Sequence, residues 1–169
     1  MNVLKVPWGG TLLDGEGRFE GYGSVFGVID SQGEVLERGA FKDTLKEWKQ
    51  KGSLPKMLWQ HDPTQVIGVW QEVEEDDYGL KVKGRLLLEV LKGAEAYTLL
   101  KNGAIEGLSI GFQTKRSYVD RLKKVRYLKE VCLLEISLVT FASNPMAKVL
   151  ESKGLKERLD SLADRLRAF

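Results

Sequence analysis

Apolar and polar positions alternate along residues 19–29, the period-two pattern of a strand with one buried face. The run ends at Asp30-Ser31-Gln32-Gly33, a turn signal. Phe41, Leu45 and Trp48 then recur at helical spacing and predict a helix over 41–50. Gly52 stops it, and Pro55 prevents its return. Residues 56–61 read as a short strand ending at Asp62-Pro63, and 64–73 and 79–88 as a pair of strands. Val90, Leu91, Ala94, Tyr97, Thr98 and Leu100 predict a second helix, closed by Asn102-Gly103. Strands follow over 109–117 and 125–140, joined by a basic hairpin tip around 120–124. Ser143-Asn144-Pro145 breaks the last of them. Residues 1–17 are glycine-rich and read as irregular. At the other end Leu155, Leu159, Leu162, Leu166 and Phe169 form a narrow helical stripe flanked by charges. That stripe suits a terminal helix packed on the domain, or one that docks on a partner or a second copy. Strands outnumber helices, so the expected fold is a mainly antiparallel sheet or barrel with a few helices around it. The expected division is one domain over 1–148 and a C-terminal amphipathic segment over 149–169.

Composition narrows the chemistry. With 169 residues, 43% hydrophobic and 30% charged, the chain can bury one ordinary core. A net charge of +2 gives no strong pull toward nucleic acid or acidic lipid. No apolar run approaches the roughly 20 residues of a membrane span, and Pro7, Gly9 and Gly10 interrupt any signal-peptide core. The single cysteine, Cys132, lies in an apolar run and reads as a small buried hydrophobe in a reducing compartment. One histidine and one cysteine nearly exclude zinc. Glu74-Glu75-Asp76-Asp77 could be imagined around magnesium, but it precedes Tyr78-Gly79 between two strands and reads better as a solvated hairpin tip. No cofactor is implied.

Gly107-Leu108-Ser109-Ile110-Gly111 places a serine between glycines, a G-x-S-x-G pattern. An α/β-hydrolase elbow runs strand, turn, helix; here a helix and a glycine turn precede the serine, and a strand follows it. The only histidine, His61, also stands 48 positions before Ser109 rather than after it (109 − 61). Residue order therefore removes that esterase fold but not a triad, which is defined by geometry. Taken alone, Ser109 could be a small residue needed for packing, and His61 an idle strand-end residue. Glu135 lies among Leu133, Leu134, Ile136 and Leu138, and alternation puts it on one face with Leu133 and Ser137. A carboxylate there needs a partner, either an arginine such as Arg85 or His61.

Several ordered blocks resemble one family. They are Gly21-Tyr22-Gly23-Ser24-Val25-Phe26, Asp30-Ser31-Gln32-Gly33-Glu34, Glu37-Arg38-Gly39-Ala40-Phe41, Leu58-Trp59-Gln60-His61-Asp62 and Ile67-Gly68. The series continues through residues 103–112, 134–140 and Ser143-Asn144-Pro145. Together they resemble the tailed-phage prohead maturation proteases, distant relatives of the herpesvirus assemblin proteases. The resemblance implies an antiparallel β-barrel of the herpesvirus-protease type ringed by helices. It implies a serine endopeptidase that cuts the capsid protein's scaffold segment, and often itself, inside the assembling procapsid in the host cytoplasm. Ser109 matches the nucleophile position and His61 the base. The herpesvirus relatives use a second histidine as third member; this chain has none, so Glu135 is the candidate, with Asp62 behind it. Ser143 and Asn144 are the oxyanion-hole candidates, since Pro145 cannot donate. A reading from another class keeps the fold without the chemistry: a capsid assembly or scaffolding module that docks through its leucine stripe.

Overall fold

A computed structural model describes residues 13–150. The expected C-terminal helix and most of the glycine-rich start lie outside the described residues. The elements are β1 (Arg18–Val25), β2 (Glu34–Leu36), α1 (Lys42–Gln50), β3 (Lys56–Trp59), β4 (Asp62–Glu75), β5 (Gly79–Leu86), α2 (Leu91–Lys101), β6 (Gly107–Asp120) and β7 (Val125–Val139). The domain is mainly β, with two helices among the described residues. No helix among them is long and apolar enough to cross a membrane.

The strands form one sheet in the order β1-β5-β4-β3-β7-β2, with β6 on the other edge of β7. Four of the six pairings are antiparallel, as expected. The exceptions are β2 and β3, which both run parallel to β7 along the same edge. Each reaches β7 from a distant part of the chain, and only a crossover can deliver a parallel neighbour. The sheet curls until its ends meet. Single bridges join Gly21 to Val149 and Gly107 to Lys148. The backbone bonds Tyr22 N–H to Lys148 O, Leu108 N–H to Ala147 O and Val149 N–H to Glu106 O complete this seam. Inside the curl, Phe19, Met57, Ile67, Leu80, Leu108, Leu133, Ile136 and Leu138 are almost fully buried in one cluster. Their removal from water supplies the main favourable term for the fold.

The acids form the expected hairpin tip, with Glu74 and Asp77 exposed, and three of them also act as fasteners. Glu75 accepts the backbone N–H groups of Gly39 and Phe41 and so holds the entry to α1. Asp76 accepts the Tyr22 hydroxyl at 2.6 Å, and its other oxygen takes the N–H groups of Tyr78 and Gly79. Asp77 pairs with Arg38. With their oxygens turned to separate partners, the acids do not converge on one point. Helix α1 packs on β7 through two bonds: Trp48 Nε1–H donates to Leu133 O, and Leu133 N–H to the Thr44 hydroxyl.

Gly21 is needed because the seam passes directly over it. A Cβ there would stand 2.6 Å from Lys148 O and 2.8 Å from Leu108 Cδ1. Gly21→Ala is expected to lower unfolding free energy by about 1–3 kcal/mol, measured by urea denaturation; a midpoint unchanged from the wild type would mean that the seam is not under this constraint.

Candidate active site

Strand β7 carries the site, and its register explains how a carboxylate survives in an apolar strand. The core residues of β7 fall at Leu128, Val131, Leu133, Ile136 and Leu138, with spacings of three, two, three and two. Simple alternation would give two throughout. The extra steps coincide with register irregularities against β6. Ser117 faces Leu128 and Arg116 faces Glu130, which leaves Lys129 over; Phe112 faces Leu133 and Gly111 faces Glu135, which leaves Leu134 over. Each bulge reverses the side that following residues face. The expectation that Leu133, Glu135 and Ser137 share a face is therefore corrected. Leu133 points into the core, whereas Glu135 and Ser137 point away from it on the opposite side.

That side faces a hairpin turn. Trp59 pairs with Asp62, so Gln60 and His61 form a two-residue loop between β3 and β4. Both have positive φ, 53° and 61°. This is the type I′ signature, usually met by Asn-Gly. For residues with a Cβ it costs on the order of 1–2 kcal/mol each. His61 thus sits in a strained turn, not at the end of a strand as the sequence pattern suggests. The strain is offset by bonds that fasten the turn to β7. Gln60 N–H donates to Leu138 O, the Gln60 amide donates to Thr140 Oγ1 at 2.7 Å, and its oxygen accepts Thr140 N–H. His61 N–H donates to Ser137 Oγ at 3.2 Å.

The imidazole meets Glu135 directly, Nδ1 to Oε1 at 2.5 Å. The Glu135 side chain is only 13% exposed, that of His61 41%. Ser137 Oγ donates to the second Glu135 oxygen at 2.6 Å. The carboxylate is thus held at both oxygens. Its bond to the imidazole raises the His61 pKa above 6.5, outweighing partial burial, which acts the other way. Arg85 and Asp62 play neither part anticipated for them. The partner of Glu135 is His61, and Asp62 accepts both the N–H and the hydroxyl of Thr64.

Ser109 lies across from Ser137 in the β6–β7 ladder, on the same side of the sheet as Glu135. Directly opposed residues have Cβ atoms about 5 Å apart, so Ser137 stands between the nucleophile candidate and the base candidate. Ser109 is 7% exposed, its hydroxyl makes no hydrogen bond among the described residues, and it lines an open cleft. The histidine and the serine share this face without a direct hydrogen bond. Gly111 serves a particular purpose: a Cβ there would fall against Glu135 Oε1. The second glycine of the G-x-S-x-G pattern leaves room for the carboxylate.

Ser143 and Asn144 line the same cleft as Ser109. The Asn144 side chain is committed to support, its amide donating to Val25 O and its oxygen accepting Met146 N–H. The backbone N–H groups of Ser143 and Asn144 donate to nothing among the described residues. Sequence reasoning missed Ser137 and Gln60. A serine inside Leu133-Leu134-Glu135-Ile136-Ser137-Leu138 must satisfy its hydroxyl when buried, which was a usable signal. The Gln60 clamp leaves no local trace.

Residues 11–160 match the family described as caudovirus prohead serine protease. The chain is 32% identical over 142 residues to the prohead protease of Enterobacteria phage HK97, covering 83% of this chain and 62% of that protein. It is 25% identical over 119 residues to the prohead protease of Escherichia phage T5, covering 68% of this chain and 53% of that protein. The chain therefore spans less than two thirds of the length of these relatives. The bacteriophage T4 capsid assembly protease, gp21, has a similar fold, with a TM-score of 0.59 at 15% identity over 78% of this chain and 88% of that one.

His61 is the only histidine, so its titration can be followed as one imidazole signal by NMR. Glu135→Gln is expected to lower that pKa toward 6.5, and Gly111→Ala to do the same by displacing the carboxylate. The sign for stability follows. The folded pKa is raised, so the pair's contribution is fully present below 6.5 and is lost as pH rises through the folded pKa. The stability gap between wild type and Glu135→Gln should be wider at about pH 6 than at about pH 9. A gap that widens with pH would overturn the assignment.

Proposed function

From the premise that this chain belongs to the caudovirus prohead serine protease family, we propose that it is a serine endopeptidase with Ser109 as nucleophile, His61 as general base and Glu135 as the acid that orients the base. The observation that carries this reading is the His61–Glu135 contact on the sheet face that also bears the unpartnered Ser109 hydroxyl. Glu135 on Nδ1 favours the tautomer that leaves Nε2 free to accept a proton. His61 would remove the Ser109 proton as Oγ attacks a peptide carbonyl, and Glu135 would stabilise the imidazolium. His61 would then give the proton to the leaving amine, and water would release the acyl group by the same steps. The oxyanion would rest on the N–H groups of Ser143 and Asn144, which are free among the described residues, each worth roughly 3–4 kcal/mol. An extended substrate would add beside a sheet edge.

The same reading takes the curled sheet as a barrel of the herpesvirus-protease type. Its substrate would be the major capsid protein with its scaffold segment, and the chain itself, inside the assembling procapsid in the host cytoplasm. The HK97 and T5 relatives, both prohead proteases, support that setting.

Coexpression with the cognate capsid protein tests the proposal. Ser109→Ala and His61→Ala are each expected to reduce processing by roughly 10³-fold or more. Processing that survives Ser109→Ala would exclude it as the nucleophile. A protonated imidazole cannot act as the base, so kcat/KM should rise with pH through a value above 6.5 and then level. Glu135→Gln should lower kcat and move that limb to lower pH.

A further inference from the structure

The cleft beside Ser109 has a one-sided chemistry. It is a narrow cleft, and Ser109 lines one wall. Its apolar lining includes Val28, Ile110 and Phe112, and its charged lining consists of Asp30 and Glu34, with no lysine or arginine. Glu34 is held by Arg126 through Oε1 at 2.9 Å. Asp30 forms no ion pair among the described residues. Its Oδ1 accepts the N–H groups of Gln32 and Glu34, which fixes the carboxylate, and Oδ2 has no partner among the described residues. The cleft therefore combines a nine-tenths-buried, unpartnered serine hydroxyl, apolar walls and one carboxylate without a counter-cation.

We infer that this cleft is the specificity pocket for a cationic side chain, lysine or arginine, on the residue whose carbonyl Ser109 attacks. The inference rests on the reading of Ser109 as the nucleophile. A lysine or arginine side chain has the matching division: a methylene stem for Val28, Ile110 and Phe112, and a cationic head for Asp30. An acidic side chain would meet repulsion from Asp30. A neutral one would leave the Asp30 oxygen without a partner in a site partly closed to water.

Three phosphonate probes on the purified 169-residue chain separate the two claims. An alkyl fluorophosphonate reports the nucleophile alone: Ser109 Oγ forms the bond to phosphorus, fluoride leaves, and the serine proton passes to His61. Peptidyl diphenyl phosphonates ending in lysine or in norleucine report the pocket. They differ only by the ammonium, and in both the Ser109 oxygen displaces phenoxide. The lysine probe is expected to inactivate at least about tenfold faster than the norleucine probe. Asp30→Asn keeps the Oδ1 acceptor for the turn and removes the charge, so that ratio should fall severalfold; Glu34→Gln should lower it less. If the fluorophosphonate modifies Ser109 but norleucine reacts as fast as lysine, the pocket assignment is wrong and the nucleophile stands. If the fluorophosphonate leaves Ser109 unmodified, both fall.

Discussion

The negative charge of Glu135 is the constraint around which this domain is arranged. Strand β7 is paired on both edges, with β6 on one and with β2 and β3 on the other. Such a strand is ordinarily apolar on both faces. A carboxylate within it is tolerable only if it leaves the core side and finds partners at both oxygens. The bulge at Leu134 meets the first condition, and His61 with Ser137 meets the second. Gly111 meets a third, because the neighbouring strand must leave space above its own backbone. Remove any of these and the charge is either buried without compensation or released from the imidazole.

The other side of that contact is a turn built against local preference. Gln60 and His61 both adopt left-handed backbone without being glycine or asparagine. Such strain persists where the surroundings over-determine it. Here the surroundings are the Gln60–Thr140 amide clamp, the Leu138 carbonyl and the Ser137 hydroxyl, all on β7 or just beyond it. The imidazole and the carboxylate are thus fastened to the same strand from two directions. This limits their relative motion even though the histidine stands on a loop.

Much of this was legible in the sequence, and the misses have specific causes. Both helices and the paired strands followed from periodicity and from glycine and proline punctuation. His61, Ser109 and Glu135 could be nominated from residue type, order and family blocks. The face of Glu135 could not be read, because two bulges in β7 shift the alternation and nothing in residues 125–140 marks them. The turn at Gln60-His61 was invisible because it lacks turn residues; only tertiary bonds from Thr140 and Ser137 hold it. The fastening by Glu75, Asp76 and Asp77 at the β4–β5 tip was not legible because their partners, Tyr22, Arg38 and the backbone at Gly39, lie 36 to 54 positions away.

The seam over Gly21 has a consequence in time. Strand β1 precedes every other described element, yet part of its edge pairs only with residues 148–150. Until those residues emerge, β1 and β6 each expose unpaired backbone, and the curled sheet cannot join its two ends. Ser143 and Asn144, which line the cleft with Ser109, lie on the same late-arriving stretch. Two cleft residues, Ser143 and Asn144, are thus made after His61, Ser109 and Glu135, while the other cleft-lining residues precede Glu135. Closure of the described sheet therefore waits on residues 147–150, which are made after every one of its strands.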